Sequence, residues 1–121
     1  MKKKMISLFL ALVLTLSAAI PALAAQYVSD GYYDGSYYEI VDNCTYDMFS
    51  GTITCMDRTV YVTATVCFVD SDYKVVTNTF SRPAQYGQNT TSGYIIGDIR
   101  HVYFEHYIDG NVARNNTMYP S

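Results

Sequence analysis

TVYVTATVCFV, residues 59–69, is the stretch whose reading decides the fold. Val60, Val62, Ala64, Val66 and Phe68 share one parity, and Tyr61, Thr63, Thr65, Cys67 and Val69 share the other. Strict alternation with β-branched residues on both faces is the signature of a strand. Eleven residues make a long strand for a small domain, which predicts a place in the middle of a sheet.

Working outward, SGTITCM at 50–56 reads as a neighbouring strand, and the intervening Asp57-Arg58 has the two-residue spacing of a tight hairpin. Downstream, Asp70, Ser71 and Asp72 signal a turn, and YKVVTNTF at 73–80 a returning strand that Pro83 closes. The polar stretch 84–97 reads as a crossing loop with a short strand around Thr90 or at 94–96. IRHVYFEHYI at 99–108 is a second long strand, and Asp109-Gly110 fits a type I′ turn into a last strand at 111–118. Upstream, 36–43 alternates Tyr38 and Ile40 against Glu39 and Val41, and 44–49 reads as a loop. In YVSDGYYDGSYY at 27–38, Asp30-Gly31 and Asp34-Gly35 are turn formers, so residues 25–35 are expected to be a flexible leader.

No window after residue 24 has helical periodicity with a cap. The chain is therefore expected to be all-β, a small antiparallel two-layer β-sandwich of immunoglobulin-like type over 36–121, with a small β-barrel as the alternative. The Trp typical of antibody domains is absent, since the chain contains none.

Residues 1–24 have the composition of a cleavable secretory signal helix. Lys2, Lys3 and Lys4 precede an apolar run, and Ala22-Leu23-Ala24 supplies the small residues read at a cleavage site after Ala24. The expected location is extracellular, in the manner of a Gram-positive bacterium, without stable membrane anchoring. The whole chain has 8 Lys and Arg against 11 Asp and Glu, and removing three Lys and no acid leaves 5 against 11, a net charge of −6 on 97 residues. Such a balance is unsuited to nucleic acid or to anionic bilayers.

Three cysteines in an oxidising exterior allow one internal bridge, and Cys44 with Cys55 is the expected pair. Parity puts Cys55 on the core face and Cys67 on the opposite one. His101, Glu105 and His106 do not match a zinc motif: on a strand His101, Tyr103, Glu105 and Tyr107 share one face while His106 faces the other way, and all three are expected as outward polar residues. Asp30, Asp34, Asp70 and Asp72 lack the spacing of a calcium loop. No activated nucleophile or GxSxG elbow is present. No catalytic residue, metal or cofactor is therefore expected.

Six of the thirteen tyrosines lie between positions 27 and 46. Tyr offers a large, rigid contact surface with a polar tip. Tyr32, Tyr33, Tyr37 and Tyr38 are the expected binding surface for an extracellular protein or glycan. The expected role is a non-catalytic binding module; a secreted bacteriocin-like growth inhibitor is the alternative, and self-assembly through long edge strands is a further possibility. In organisation alone the chain is similar to exported β-sandwich proteins of Gram-positive bacteria, some bacteriocins among them.

Overall fold

A computed structural model describes residues 25–120. The expected signal helix and the cleavage position Ala24 lie outside the described residues. The chain forms seven strands: β1 Ala25–Tyr33, β2 Ser36–Cys44, β3 Met48–Val69, β4 Val75–Ser81, β5 Gln85–Tyr94, β6 Asp98–Ile108 and β7 Asn111–Met118. All pairings are antiparallel and belong to one curled sheet. The all-β expectation therefore holds.

The alternation at 59–69 is the second half of a strand of 22 residues. On one side β3 pairs first with β2, Glu39 opposite Thr54, and then with β6, Val60 opposite Ile108. On the other side it pairs with β5 and then β4. The break lies at 55–59, where the register with β5 shifts. The expected hairpin at Asp57-Arg58 is a bulge instead. Neither residue has the positive φ that a type I′ turn demands, and both are held by their side chains: Ser36 Oγ donates to Asp57 at 2.9 Å, and Arg58 Nε donates to Ser36 Oγ at 3.0 Å.

Past the bulge the β2–β1 and β6–β7 arms curl toward each other. Their inward residues form one core that includes Ile40, Ile53, Val60, Val62, Val66, Ile99, Val102, Phe104 and Ile108. The outer strands β1 and β7 meet through side chains: Arg114 donates to Ser29 Oγ, and Asn111 Nδ2 donates to Tyr33 Oη at 2.8 Å. Gly51 permits the curl to close, because a Cβ there would stand 2.5 Å from the Phe104 ring and 3.1 Å from Asp42 Oδ1.

Two further segments differ from the sequence expectation. Residues 25–33 are strand β1, paired throughout with β2, and not a flexible leader. Only Asp34-Gly35 turns, with φ of 47° and 82°, whereas Gly31 lies within the strand under the Tyr38 ring, where a Cβ would be 2.8 Å from the phenol oxygen. The polar stretch expected to cross as a loop is β5. Its inward side chains serve the corner of β3: Asn89 Nδ2 donates to the Val60 carbonyl at 3.1 Å and Thr91 Oγ1 to the Val62 carbonyl at 2.7 Å. Buried carbonyls at a bend need such partners. Asp109-Gly110 forms the expected tight turn, with φ of 49° and 82°.

Candidate functional site

Two turns and the β3 bulge converge at one end of the molecule, with Arg58 at the centre. Its Nη1 donates to Asp109 Oδ2 at 2.7 Å, and its Nη2 donates to the Asp34 carbonyl at 3.2 Å and lies 3.6 Å from the Asp34 carboxylate. Both Asp-Gly turns are thereby tied to the bulge, and the guanidinium also sits 6.0 Å from the centre of the Tyr33 ring. The Ser36 hydroxyl and, to a lesser degree, the Arg58 charge hold Asp57 below the usual carboxylate range.

The four tyrosines expected as a surface divide. Tyr32 is 66% exposed. Its ring meets Tyr37 edge-on at 5.4 Å, and the Tyr37 hydroxyl donates to Asp30 at 2.7 Å. Burial, that bond and the nearby Glu39 push the Tyr37 phenol up, so it stays a donor. Tyr33 packs partly against the core. Tyr38 is 4% exposed and belongs to the core itself, because it has the same parity as Ile40 and Asp42 and lies over Gly31. Of the four rings, Tyr32 is the exposed one and Tyr37 half-buried against it, with Asp30 bonded to the Tyr37 hydroxyl.

A buried polar pair has no counterpart in the sequence expectations. His106 is fully buried, contrary to its expected outward position, and it shares the parity of Val102, Phe104 and Ile108. Its Nε2 is 2.8 Å from Asp42 Oδ1, also fully buried, and its Nδ1 is 2.9 Å from the Arg114 carbonyl. Asn116 Nδ2 donates to the other Asp42 oxygen at 3.3 Å. A carbonyl only accepts, so Nδ1 carries a hydrogen, and one further proton lies between Nε2 and Oδ1. The pair is neutral overall whichever atom holds that proton. Burial keeps the Asp42 carboxyl above its ordinary range, against the opposing pull of His106 and Asn116. This is a clasp between β2, β6 and β7, with no face open to a substrate. His101 and Glu105 lie on the opposite, half-buried face of β6, as their parity predicts.

The expected Cys44–Cys55 bridge is not formed, and all three thiols are free. Cys44 pairs with Phe49, six residues before Cys55 along β3. At roughly 3.3 Å per residue the two lie about 20 Å apart, whereas a disulfide needs Cα atoms within about 7 Å. Burial pushes both thiols up to about 11. Cys55 is buried and Cys67 half-buried on the other face, as parity indicates.

Among the described residues no three His, Cys, Asp or Glu side chains come together in a metal-binding group. Asp70 instead organises its own turn, its Oδ1 accepting from the Asp72 and Lys74 amides at 2.8 and 3.0 Å. A cavity of about 130 Å³ between Cys44, Phe49 and Gly93 is smaller than the roughly 300 Å³ of ordinary ligand pockets, and a larger depression of about 510 Å³ is lined by Arg82, Pro83, Gln85, Gln88, Asn89 and Thr90. A scan of protein-family models and searches of curated proteins and of solved structures found no match to this chain.

Proposed function

We propose that this chain is a small exported protein that binds an extracellular protein partner without catalysing a reaction, through the end of the β1–β2 hairpin. The observation that carries this reading is the exposed Tyr32 ring, steadied by Tyr37, which is itself tethered to Asp30. A large aromatic surface fixed before contact loses little entropy on binding. Asp30 and Asp34 give it an acidic rim, which favours a partner presenting Lys or Arg. Export rests on the composition of residues 1–24. The same reading takes the curled sheet as a two-layer sandwich of immunoglobulin-like proportions. One layer is β1, β2, the first half of β3 and β5; the other is β4, the second half of β3, β6 and β7. The Asp42–His106 bond across the interior supports that layering.

The test begins with the chain recovered from culture medium, whose first residue should be Ala25. Labelled protein is then bound to producer cells and to their isolated wall polysaccharide. Saturable, salt-sensitive retention on cells, at least tenfold weaker for Tyr32→Ala and unchanged for Tyr73→Ala, is the expected result. Tyr73 is the control because it is an exposed tyrosine on a different turn, at 90%. Equal retention of the Tyr32→Ala protein and the wild type, or retention by polysaccharide alone, would overturn the proposal.

A further inference from the structure

We propose that β5 is the interface of a symmetric dimer, in which the strands of two copies pair antiparallel about a two-fold axis at Thr90. Residues 86–94 read YGQNTTSGY, with a Tyr-Gly pair at one end and a Gly-Tyr pair at the other placed symmetrically about Thr90, and only small or uncharged polar residues between them. A two-fold there sets Gln88 opposite Ser92 of the second copy, Asn89 opposite Thr91, Gly87 opposite Gly93, and Tyr86 opposite Tyr94. An isologous contact requires such self-complementarity.

The backbone is arranged for it. Among the described residues β5 pairs with β3 and leaves its other edge unpaired. The Ile95 amide donates to the Asp47 carbonyl at 2.8 Å, one step beyond the Met48–Tyr94 pair. Hydrogen-bonded pairs alternate along an antiparallel ladder, so Gln88, Thr90, Ser92 and Tyr94 turn their N–H and C=O groups toward the free edge. Gly87, with φ of 91°, bends the strand after Tyr86. Pairing is therefore confined to Gln88, Thr90 and Ser92 against their mates, about six backbone hydrogen bonds. Tyr86 and Tyr94, 69% and 74% exposed, flank it as cross-strand aromatic neighbours.

Charge selects a second copy as the occupant. Residues 83–97 contain no Lys, Arg, Asp or Glu, so this edge lets two acidic chains meet without like charges in contact. The same two-fold brings Arg82 of one copy toward Asp98 of the other, opposite signs at both ends. The other edges are guarded. A two-fold about Asn78 on β4 would bring Lys74 toward Arg82, and β1 and β7 already engage each other through Ser29 and Arg114.

The test is sedimentation velocity and cysteine cross-linking on the purified protein. Wild type should show a concentration-dependent monomer–dimer equilibrium, and Thr90→Lys, which sets two ammonium groups face to face, should be monomeric with an unchanged circular dichroism spectrum. In a Cys67→Ser background, Thr90→Cys should oxidise to a covalent dimer at least tenfold faster than Thr77→Cys on β4. A mixture of Gln88→Cys and Ser92→Cys proteins should cross-link faster than either alone, which reports the register. A wild type that stays monomeric at millimolar concentration, or Thr90→Cys linking no faster than Thr77→Cys, would overturn the proposal.

Discussion

Replacing Asp42 with Ala would remove the hydrogen-bond partner of the fully buried His106 Nε2 and the acceptor of the half-buried Asn116 Nδ2. Breaking one partner of a buried, hydrogen-bonded pair costs about 3–5 kcal/mol, against a total stability of about 5–15 kcal/mol for a domain of this size. With a urea slope of about 1.5–2 kcal/mol per molar, the D42A midpoint should fall by roughly 2 M. Asp42→Asn is the discriminating control. Its amide nitrogen can donate to Nε2 of the neutral imidazole while its oxygen still accepts from Asn116, so its cost should stay under about 1 kcal/mol. The comparison also has a pH signature. Burial raises the folded-state value of Asp42 above that of the unfolded chain, so the folded protein holds this proton more tightly. That contribution is fully present below the unfolded value and is lost as pH rises through the folded one. Wild-type stability measured against D42N should therefore decline from about pH 4 upward and then level off. Equilibrium unfolding of the three proteins between pH 3.5 and 8 is the assay. A D42A cost below about 1 kcal/mol, or equal costs for D42A and D42N, would refute the clasp.

Three further outcomes follow from the geometry. At pH 8 a thiol reagent should modify only Cys67 in the folded protein and all three cysteines in denaturant, since burial pushes Cys44 and Cys55 up to about 11. Non-reducing peptide mapping should at the same time find no Cys44–Cys55 link. Gly51→Ala should destabilise by about 1–3 kcal/mol in urea melts, because the methyl group would enter the Phe104 ring. Glu39 is buried, its Oε1 has no partner, and desolvation raises its carboxyl above the ordinary range. Glu39→Gln should therefore raise the melting temperature at pH 7 and lose that advantage as pH falls toward 4, measured by calorimetry.

Where a residue's local chemistry and its tertiary role agree, the sequence was enough to read. Alternation at 59–69 and 99–108 named the two longest runs of core, and Asp109-Gly110 named its own turn because φ above zero is a local demand. Alternation also carried a signal for His106, which falls in step with Val102 and Phe104. Local sequence argues against that signal, because a polar residue is ordinarily kept outside unless a partner waits within, and Asp42 is 64 positions away. The bulge was hidden for a similar reason. Two residues between two strands match a hairpin in spacing, and only the contacts of Asp57 and Arg58 with Ser36, Asp34 and Asp109 make a continuing strand the better solution. Asp30-Gly31 reads as a turn, although its glycine serves the Tyr38 ring, and the polar residues of β5 read as a crossing loop, although two of them satisfy carbonyls inside. Density in the sequence marked the tyrosine cluster, but the pairing of β1 with β2 decided which of its rings face water.

Because both arms of the curl stand on β3 and cover one shared core, neither can detach without exposing the apolar face of the other. Melting should be all-or-none, with the hydrogen-bonded amides of both halves of the 22-residue strand sharing one opening free energy, that of global unfolding. Refolding should be slow for so small a chain, since residues as far apart as Asp42 and His106 must meet before either arm is secure.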